Sequence, residues 1–265
     1  MVWILVPLGL LTGATINLLA DSLPTRRSLK RPFCAQCGQT RPPLAWSGLL
    51  AYLTGKHCCP NCGRRLSIRH PLVEIGAAAA FALIGLRGGA PITLIANLIY
   101  AAVLLLVLVT DLEHRLIQHV IMLPAIALAL LAAFVDPQFD RPVRSLLGGG
   151  IGLLLALGMY WFGILFTKLL GKARGKAITE VAFGFGDVTL ITFIGLIVGA
   201  PEVIFALIIG ILIGGAGSIL YLIISGLILH KYSAFTAIPY GPFLILGGAL
   251  MRYLGQALMA WYFTR

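Results

Sequence analysis

Charge is scarce in this chain. Of its 265 residues only 11% are Asp, Glu, Lys or Arg and 59% are hydrophobic, a balance too apolar for a water-soluble domain of this length, so a soluble enzyme is excluded. Acids are the rarest charged class, nine against twenty Lys plus Arg. Cysteine is missing from most of the sequence: all five fall between Cys34 and Cys62. That clustering rules out a disulfide framework spread over the fold and points to one local metal or redox site. No Ser-His-Asp arrangement, His-Glu-x-x-His motif or phosphate-binding glycine loop is recognisable. The 31 Gly and 14 Pro lie mostly inside or between apolar stretches, as membrane helices permit, which argues against disorder.

A bilayer core needs about 20 predominantly apolar residues per helix, because backbone amides find no water there. Eight stretches qualify, at roughly 2–20, 72–86, 91–110, 117–135, 146–170, 188–200, 203–229 and 239–263. The second and sixth are short. Gly199, Ala200, Pro201 and Glu202 separate the sixth from the seventh, since an acid is costly at mid-bilayer; one long bent helix is the competing reading there. The first stretch has no basic n-region and no small-residue cleavage site before its polar flank, so it reads as a retained span and not a removed signal peptide.

The positive charge follows these spans. Arg26, Arg27, Lys30, Arg31, Arg41, Lys56, Arg64, Arg65 and Arg69 occupy the loop after the first span, which places that loop in the cytoplasm. With eight spans the same side receives Arg115, Lys168, Lys172, Arg174, Lys176 and Lys231, fifteen of the twenty basic residues in all. Both termini are then expected outside. The +11 net charge needs no nucleic acid to explain it.

Cys34-Ala-Gln-Cys37-Gly and Cys59-Pro-Asn-Cys62-Gly form two Cys-x-x-Cys-Gly knuckles, with twenty-one residues between Cys37 and Cys59. Four thiolates close a tetrahedral zinc site with no position open for water, so Zn2+ is expected to hold the loop together and not to hydrolyse anything. The glycine after each knuckle lets the backbone turn and donate to sulfur. Cys58 is left over, because the spacing to Cys62 favours Cys59, and His57 and His70 read as surface histidines. The stretch between the knuckles carries Trp46, Leu49, Leu50, Tyr52 and Leu53 and is apolar instead of basic, suited to packing or to touching the membrane.

Two acids stand at the expected cytoplasmic boundary, Asp111 at the end of the third span and Asp187 at the start of the sixth, in Phe-Gly-Phe-Gly-Asp. Either alone could be a capping or snorkelling Asp. Gly184 and Gly186, however, bare the backbone beside Asp187, which would let an extended substrate come close. Two neighbouring carboxylates cannot both ionise cheaply, so one keeps a proton and the pair can activate water while protonating a carbonyl or leaving group. Glu113 reads as a solvated charge paired with Arg115. Glu74, just inside the second span, is either a ligand to a neighbouring loop or helix or an acid favoured by the helix N-terminus.

Together the residues resemble the type IV prepilin peptidases, polytopic aspartic proteases of the bacterial inner membrane. The likeness runs through Asn17, Leu23-Pro24, the paired knuckles, His70-Pro71-Leu72-Val73-Glu74, Asp111-Leu-Glu-His-Arg-Leu-Ile, Gly-Phe-Gly-Asp187 and Ile238-Pro239-Tyr240-Gly241-Pro242-Phe243. It implies that Asp111 and Asp187 are catalytic and that Cys34, Cys37, Cys59 and Cys62 bind zinc; Glu74, Gly184 and Gly186 are the residues expected, on their own chemistry, to shape the site. The implied substrate is a prepilin or pseudopilin, cut after a Gly on the cytoplasmic side, and many members then methylate the new N-terminus from S-adenosylmethionine. The chain departs from the family's common pattern at Ser22, at Thr189 and at Ile117-Gln118-His119. None of these departures removes a carboxylate; Ser22 lies in the region that the family associates with methylation.

The expectation is therefore an all-α, polytopic membrane helix bundle of about eight spans. Residues 1–20 form the first span, 21–70 a cytoplasmic zinc-knuckle loop and 71–265 the peptidase core. The rivals are a proton-coupled transporter with a structural zinc loop, whose acids would relay protons, and a membrane-anchored zinc module that only scaffolds partners.

Overall fold

The computed structural model describes residues 2–24, 31–34, 36–135, 142–174, 183–224 and 239–263. Each of the eight apolar stretches contains a helix: α1 (Val2–Ser22), α3 (Arg69–Arg87), α4 (Pro91–His114), α5 (His119–Val135), α6 (Pro142–Arg174), α7 (Phe185–Val198), α8 (Glu202–Ile223) and α9 (Gly241–Phe263). Between α1 and α3 lie a 3-10 turn at Pro43–Ala45 and the short α2 (Gly48–Leu53). No strand is longer than an isolated bridge among the described residues. Five helices, α1, α3, α4, α6 and α8, are long and apolar enough to cross a membrane, and α5 and α7 are shorter apolar helices. Outward-facing Leu154, Trp161, Phe162 and Leu212 are more than 60% exposed, an arrangement that lipid tolerates and water does not. The chain is a multi-pass membrane protein.

The helices fall into two compact units, residues 1–114 and 115–265. In the first, α1 lies directly against α3. A Cβ on Gly13 would come 2.5 Å from the Cα of Glu74, and one on Gly9 2.6 Å from the Cα of Ala78. This pair of glycines four residues apart lets two backbones approach as membrane helices do when no hydrophobic force draws them together. Pro91 opens α4, where a missing N–H costs nothing. Arg115, at φ 53°, follows its last residue.

In the second unit α7 is apolar on every face, as befits a helix surrounded by others: Val188, Leu190, Ile191, Phe193, Ile194 and Ile197 are all buried. Gly148 of α6 and Gly195 of α7 bring those two backbones into contact. The break expected after the sixth span is present, so the long bent helix is not formed. Gly199 ends α7 at φ 86°, and α8 starts three residues later. The acid there, Glu202, is ion-paired to Arg144, whose Nε donates to the Ala200 carbonyl at 2.9 Å. Residues 225–229 of the expected seventh span, and the basic residues Arg26, Arg27, Lys30, Lys176 and Lys231, lie outside the described residues.

Candidate active site and metal centre

The two knuckles are built alike. Gly38 and Gly63, at φ 73° and 70°, occupy the left-handed region that a side chain disfavours, and each donates its N–H 2.9 Å to the carbonyl of its knuckle's first cysteine. Each loop is closed from Gln39 O to Cys34 N at 2.8 Å and from Arg64 O to Cys59 N at 2.9 Å. The four sulfurs of Cys34, Cys37, Cys59 and Cys62 all lie within 4.8 Å of one another. Cys34 and Cys62 are 3.6 Å apart, as are Cys37 and Cys59. Four sulfurs about 2.3 Å from a tetrahedral zinc would be about 3.8 Å apart, so the donor set fits a metal ion. Cys58, as expected, stands outside the cluster.

Electrostatics favours anionic sulfur at the first position of each knuckle. The backbone N–H of Cys37, aided by that of Gln36, holds the Cys34 thiol down to about 6 against the opposing effect of burial. The N–H groups of Cys62 and Asn61 lower Cys59 in the same way. At Cys62 the Arg64 N–H works in that direction too, but burial and the sulfurs of Cys34, Cys37 and Cys59 outweigh it and push the thiol up to about 12. Crowded thiols without a counter-cation cannot all ionise, and a divalent ion removes that conflict.

The knuckles rest on a small core of Ala45, Ala51 and Leu66 with Tyr52 against it. The Tyr52 hydroxyl donates to Leu66 O at 2.5 Å, and its ring stacks on His57. Glu74 anchors this layer to the helices. Its side chain is fully buried; Oε1 accepts Gly48 N–H at 2.6 Å, and Oε2 accepts the Ser47 hydroxyl at 2.5 Å and Leu49 N–H at 3.0 Å. Of the two sequence readings of Glu74, the structure realises the ligand to a neighbouring loop or helix, because the acid's partners are the first turn of α2 and Asn17 of α1, and not its own helix end.

Two other expectations are corrected in this unit. Glu113 pairs with Arg69 and not with Arg115, because α4 runs on to His114 and turns Glu113 toward the start of α3. His70 is no free surface histidine: its Nε2 lies 3.2 Å from Asp21 Oδ2, and its carbonyl accepts the Asn17 amide at 2.9 Å. Sequence reasoning singled out neither Asp21, Arg69 nor Ser47 individually; the signal for Ser47 was its place as an N-cap before an apolar run.

Asp111 lies in the first unit on the last turn of α4, 5% exposed, beside the fully buried Thr110. Asp187 lies in the second unit on the first turn of α7, where its Oδ2 accepts the Gly184 N–H at 3.0 Å. Around it are aromatic rings: Phe185 meets His119 and Tyr160 edge-on, and Phe183 meets Tyr240. Tyr240 also interacts electrostatically with Asp187. The expected open backbone at Gly186 is already filled, since a Cβ there would come 2.7 Å from Ile117 Cβ and 2.9 Å from Ile117 O. Gly184 is less enclosed, its nearest neighbour for a Cβ being the Asp187 carboxylate at 3.4 Å.

The chain matches two family models. Residues 98–219 match the type IV leader peptidase family, and residues 7–87 match the bacterial peptidase A24 N-terminal domain. Among curated relatives, a prepilin leader peptidase/N-methyltransferase of Bacillus subtilis is 26% identical over 268 residues, 99% of this chain and 98% of the relative. Proteins of the same name from Pseudomonas putida and Klebsiella pneumoniae are each 28% identical, covering 86% and 72% of this chain and 73% and 82% of their own length. No solved structure matches the chain.

Proposed function

The chain belongs to the type IV leader peptidase family, and from that premise we propose that it is a membrane aspartic endopeptidase that removes the basic leader of a type IV prepilin or pseudopilin. The observation that carries the reading is the placement of the two acids. Asp111 and Asp187 both fall within residues 98–219, the stretch that matches the peptidase family, and each sits in the terminal turn of an apolar helix. The transporter reading has no comparable support.

In this reading Asp111 and Asp187 share one proton and titrate as a pair. One carboxylate takes a proton from water as it attacks the scissile carbonyl, while the protonated one gives its proton to the carbonyl oxygen; the proton taken from water then passes to the leaving amine, and the proton of the collapsing diol returns to the pair. The Gly184 N–H holds the Asp187 carboxylate in place. The leader is cut after a Gly on the cytoplasmic side, where the knuckle loop lies by its positive charge; the protein resides in the bacterial inner membrane with both termini outside.

Cys34, Cys37, Cys59 and Cys62 hold Zn2+ as a structural ion, for their closed donor set leaves no position for water. The chain then methylates the new N-terminus, S-adenosylmethionine supplying the methyl group when bound. Incubating the purified protein with a candidate prepilin, with and without S-adenosylmethionine, and weighing the product N-terminus tests both activities. An uncut prepilin defeats the peptidase reading, and a cut but unmodified product defeats the transferase reading alone.

A further inference from the structure

The apolar stretch between the knuckles has no task in peptide hydrolysis by two carboxylates, yet it is not folded away. Leu53 is 74% exposed, Leu50 46% and Trp46 42%. Leu50 and Leu53, three residues apart on α2, share a face, while Gly48 and Ala51 turn inward and are buried. The Trp46 indole N–H is already bonded to Arg41 O at 3.0 Å, so the ring makes no further polar demand. Leu44, in the 3-10 turn just before, is exposed as well.

Depth decides what covers these side chains. Asp21 near the end of α1, Arg69 at the start of α3 and Glu113 near the end of α4 form one ion-paired layer. Helix α3 has 19 residues, from Arg69 to Arg87, and is about 28 Å long. A hydrocarbon core is about 30 Å thick, so α3 has no length to spare and the charged layer marks the edge of that core. Glu74 lies five residues further in, about 7.5 Å along the axis. Ser47, Gly48 and Leu49 are bonded to its carboxylate, and Gly48 packs so closely on His70 and Pro71 that a Cβ would strike both. The start of α2 is therefore held beneath the headgroups instead of above them. Irregular backbone survives at such depth only when its polar groups are satisfied within the protein, and the fully buried Glu74 does this for the first turn.

The rest of the loop has the complementary chemistry. Lys56, Arg64 and Arg65 are exposed, and none of the three forms an ion pair with an acid among the described residues. Anionic headgroups attract such a cluster, and basic amphipathic segments lie with their apolar side chains at the boundary of headgroups and acyl chains. Lipid already reaches this level on α3, whose exposed row of Leu72, Ile75, Leu83 and Leu86 starts at Ile68. We propose that the knuckle loop is a re-entrant membrane anchor. Helix α2 and the turn before it dip into the inner leaflet, with Trp46, Leu50 and Leu53 among the upper acyl chains, Lys56, Arg64 and Arg65 on anionic headgroups, and Glu74 as the tether within the bilayer. The loop's positive charge selects the inner leaflet, and the anchor does not depend on which reaction the acids perform.

The test is fluorescence quenching of the full-length protein in nanodiscs of mixed phosphatidylcholine and phosphatidylglycerol. With Trp3→Phe, Trp161→Phe and Trp261→Phe, Trp46 is the sole indole of the four; adding Trp46→Phe and Leu53→Trp moves the reporter to α2. Lipid brominated in the upper acyl chain is expected to quench either reporter about twofold or more, as immersion at the headgroup boundary requires. Aqueous acrylamide should quench both far less than it quenches free tryptophan. Strong acrylamide quenching with no effect of bromine places the loop in water and overturns the anchor. Quenching by neither agent means that protein covers these side chains, from elsewhere in this chain or from a second copy, and overturns it as well. Discs of phosphatidylcholine alone should weaken bromine quenching, and Lys56→Gln/Arg64→Gln/Arg65→Gln should abolish that dependence on lipid charge with zinc content unchanged. A dependence that survives in this variant overturns the headgroup contact. Should the variant lose zinc, salt applied to the protein with its basic residues intact takes its place: screening should weaken bromine quenching in the mixed discs, and indifference to salt overturns the contact.

Discussion

Oε1 of Glu74, inside α3, accepts the backbone N–H of Gly48 at 2.6 Å across 26 residues of sequence. With the bonds from Ser47 and Leu49 it satisfies the first turn of α2, where helical amides have no partner of their own. Replacing Glu74 with Ala leaves the buried Gly48 N–H unbonded, at about 1–3 kcal/mol for an unsatisfied buried group, and frees the half-buried Ser47 and Leu49 donors at a smaller cost. Glu74→Gln is expected to be milder, because its amide keeps one acceptor and turns a donor toward the other donors. Limited trypsin digestion of the knuckle loop checks both: cleavage should rise in the order wild type, Gln, Ala. Equal rates would show that the carboxylate does not anchor the loop.

Substituting Asn for Asp111 or for Asp187 keeps size and removes the shared proton. Each variant is expected to lose leader cleavage by roughly a hundredfold to ten-thousandfold, the usual worth of a positioned acid or base. Quantitative immunoblotting of prepilin and product in membranes gives the measurement. Near-normal cleavage by either variant removes that residue from the chemistry.

How much of this was legible beforehand depends on the range of the interaction. The helices were readable because hydropathy over about 20 residues is a local sum, and Gly199 through Glu202 announced their own break. The knuckles were readable because each is closed within five residues. Glu74 was ambiguous because its partners at Asn17, Ser47, Gly48 and Leu49 lie far off along the chain. Glu113 was assigned to the nearer Arg115 when the fold supplies Arg69, 44 residues away. Spacing names the residue that needs a partner; only tertiary packing names the partner.

The zinc assignment separates the five cysteines. Cys34→Ser and Cys62→Ser should each lower the metal content of the purified protein well below one ion per chain, and Cys58→Ser should leave it at one. Inductively coupled plasma mass spectrometry reads the ratio. Undiminished zinc in both ligand variants would remove those sulfurs from the site.

Acid should release that ion in a defined direction. Zinc binds thiolate, and the Cys34 thiol is held down to about 6 by its knuckle's N–H groups. Its anionic form is stabilised relative to an unfolded thiol near 9, a contribution complete above pH 9 and lost as pH falls through 6. Cys62, pushed up to about 12 in the absence of metal, must surrender a proton for the ion to bind, so affinity rises with pH on that account too. Competition with a chromogenic chelator is therefore expected to show affinity falling steadily from pH 8 to pH 5. A flat profile would contradict thiolate ligation.

Gly184 and Gly186 flank the same acid, yet they answer to different constraints. An Ala at Gly186 puts its Cβ 2.7 Å from Ile117 Cβ and 2.9 Å from Ile117 O, contacts that demand a backbone shift and cost about 1–3 kcal/mol. Ile117→Ala should not rescue that variant, because it retains both offending atoms, and thermal unfolding in detergent should show the two lesions adding. At Gly184 the nearest atom is Asp187 Oδ2 at 3.4 Å, so Gly184→Ala should unfold within a degree or two of wild type while crowding the carboxylate. Leader cleavage is then expected to fall in Gly184→Ala at nearly constant stability and to track stability in Gly186→Ala. If both variants lose activity only in proportion to stability, Gly184 has no part in presenting Asp187, and its N–H bond to that carboxylate is a helix cap alone.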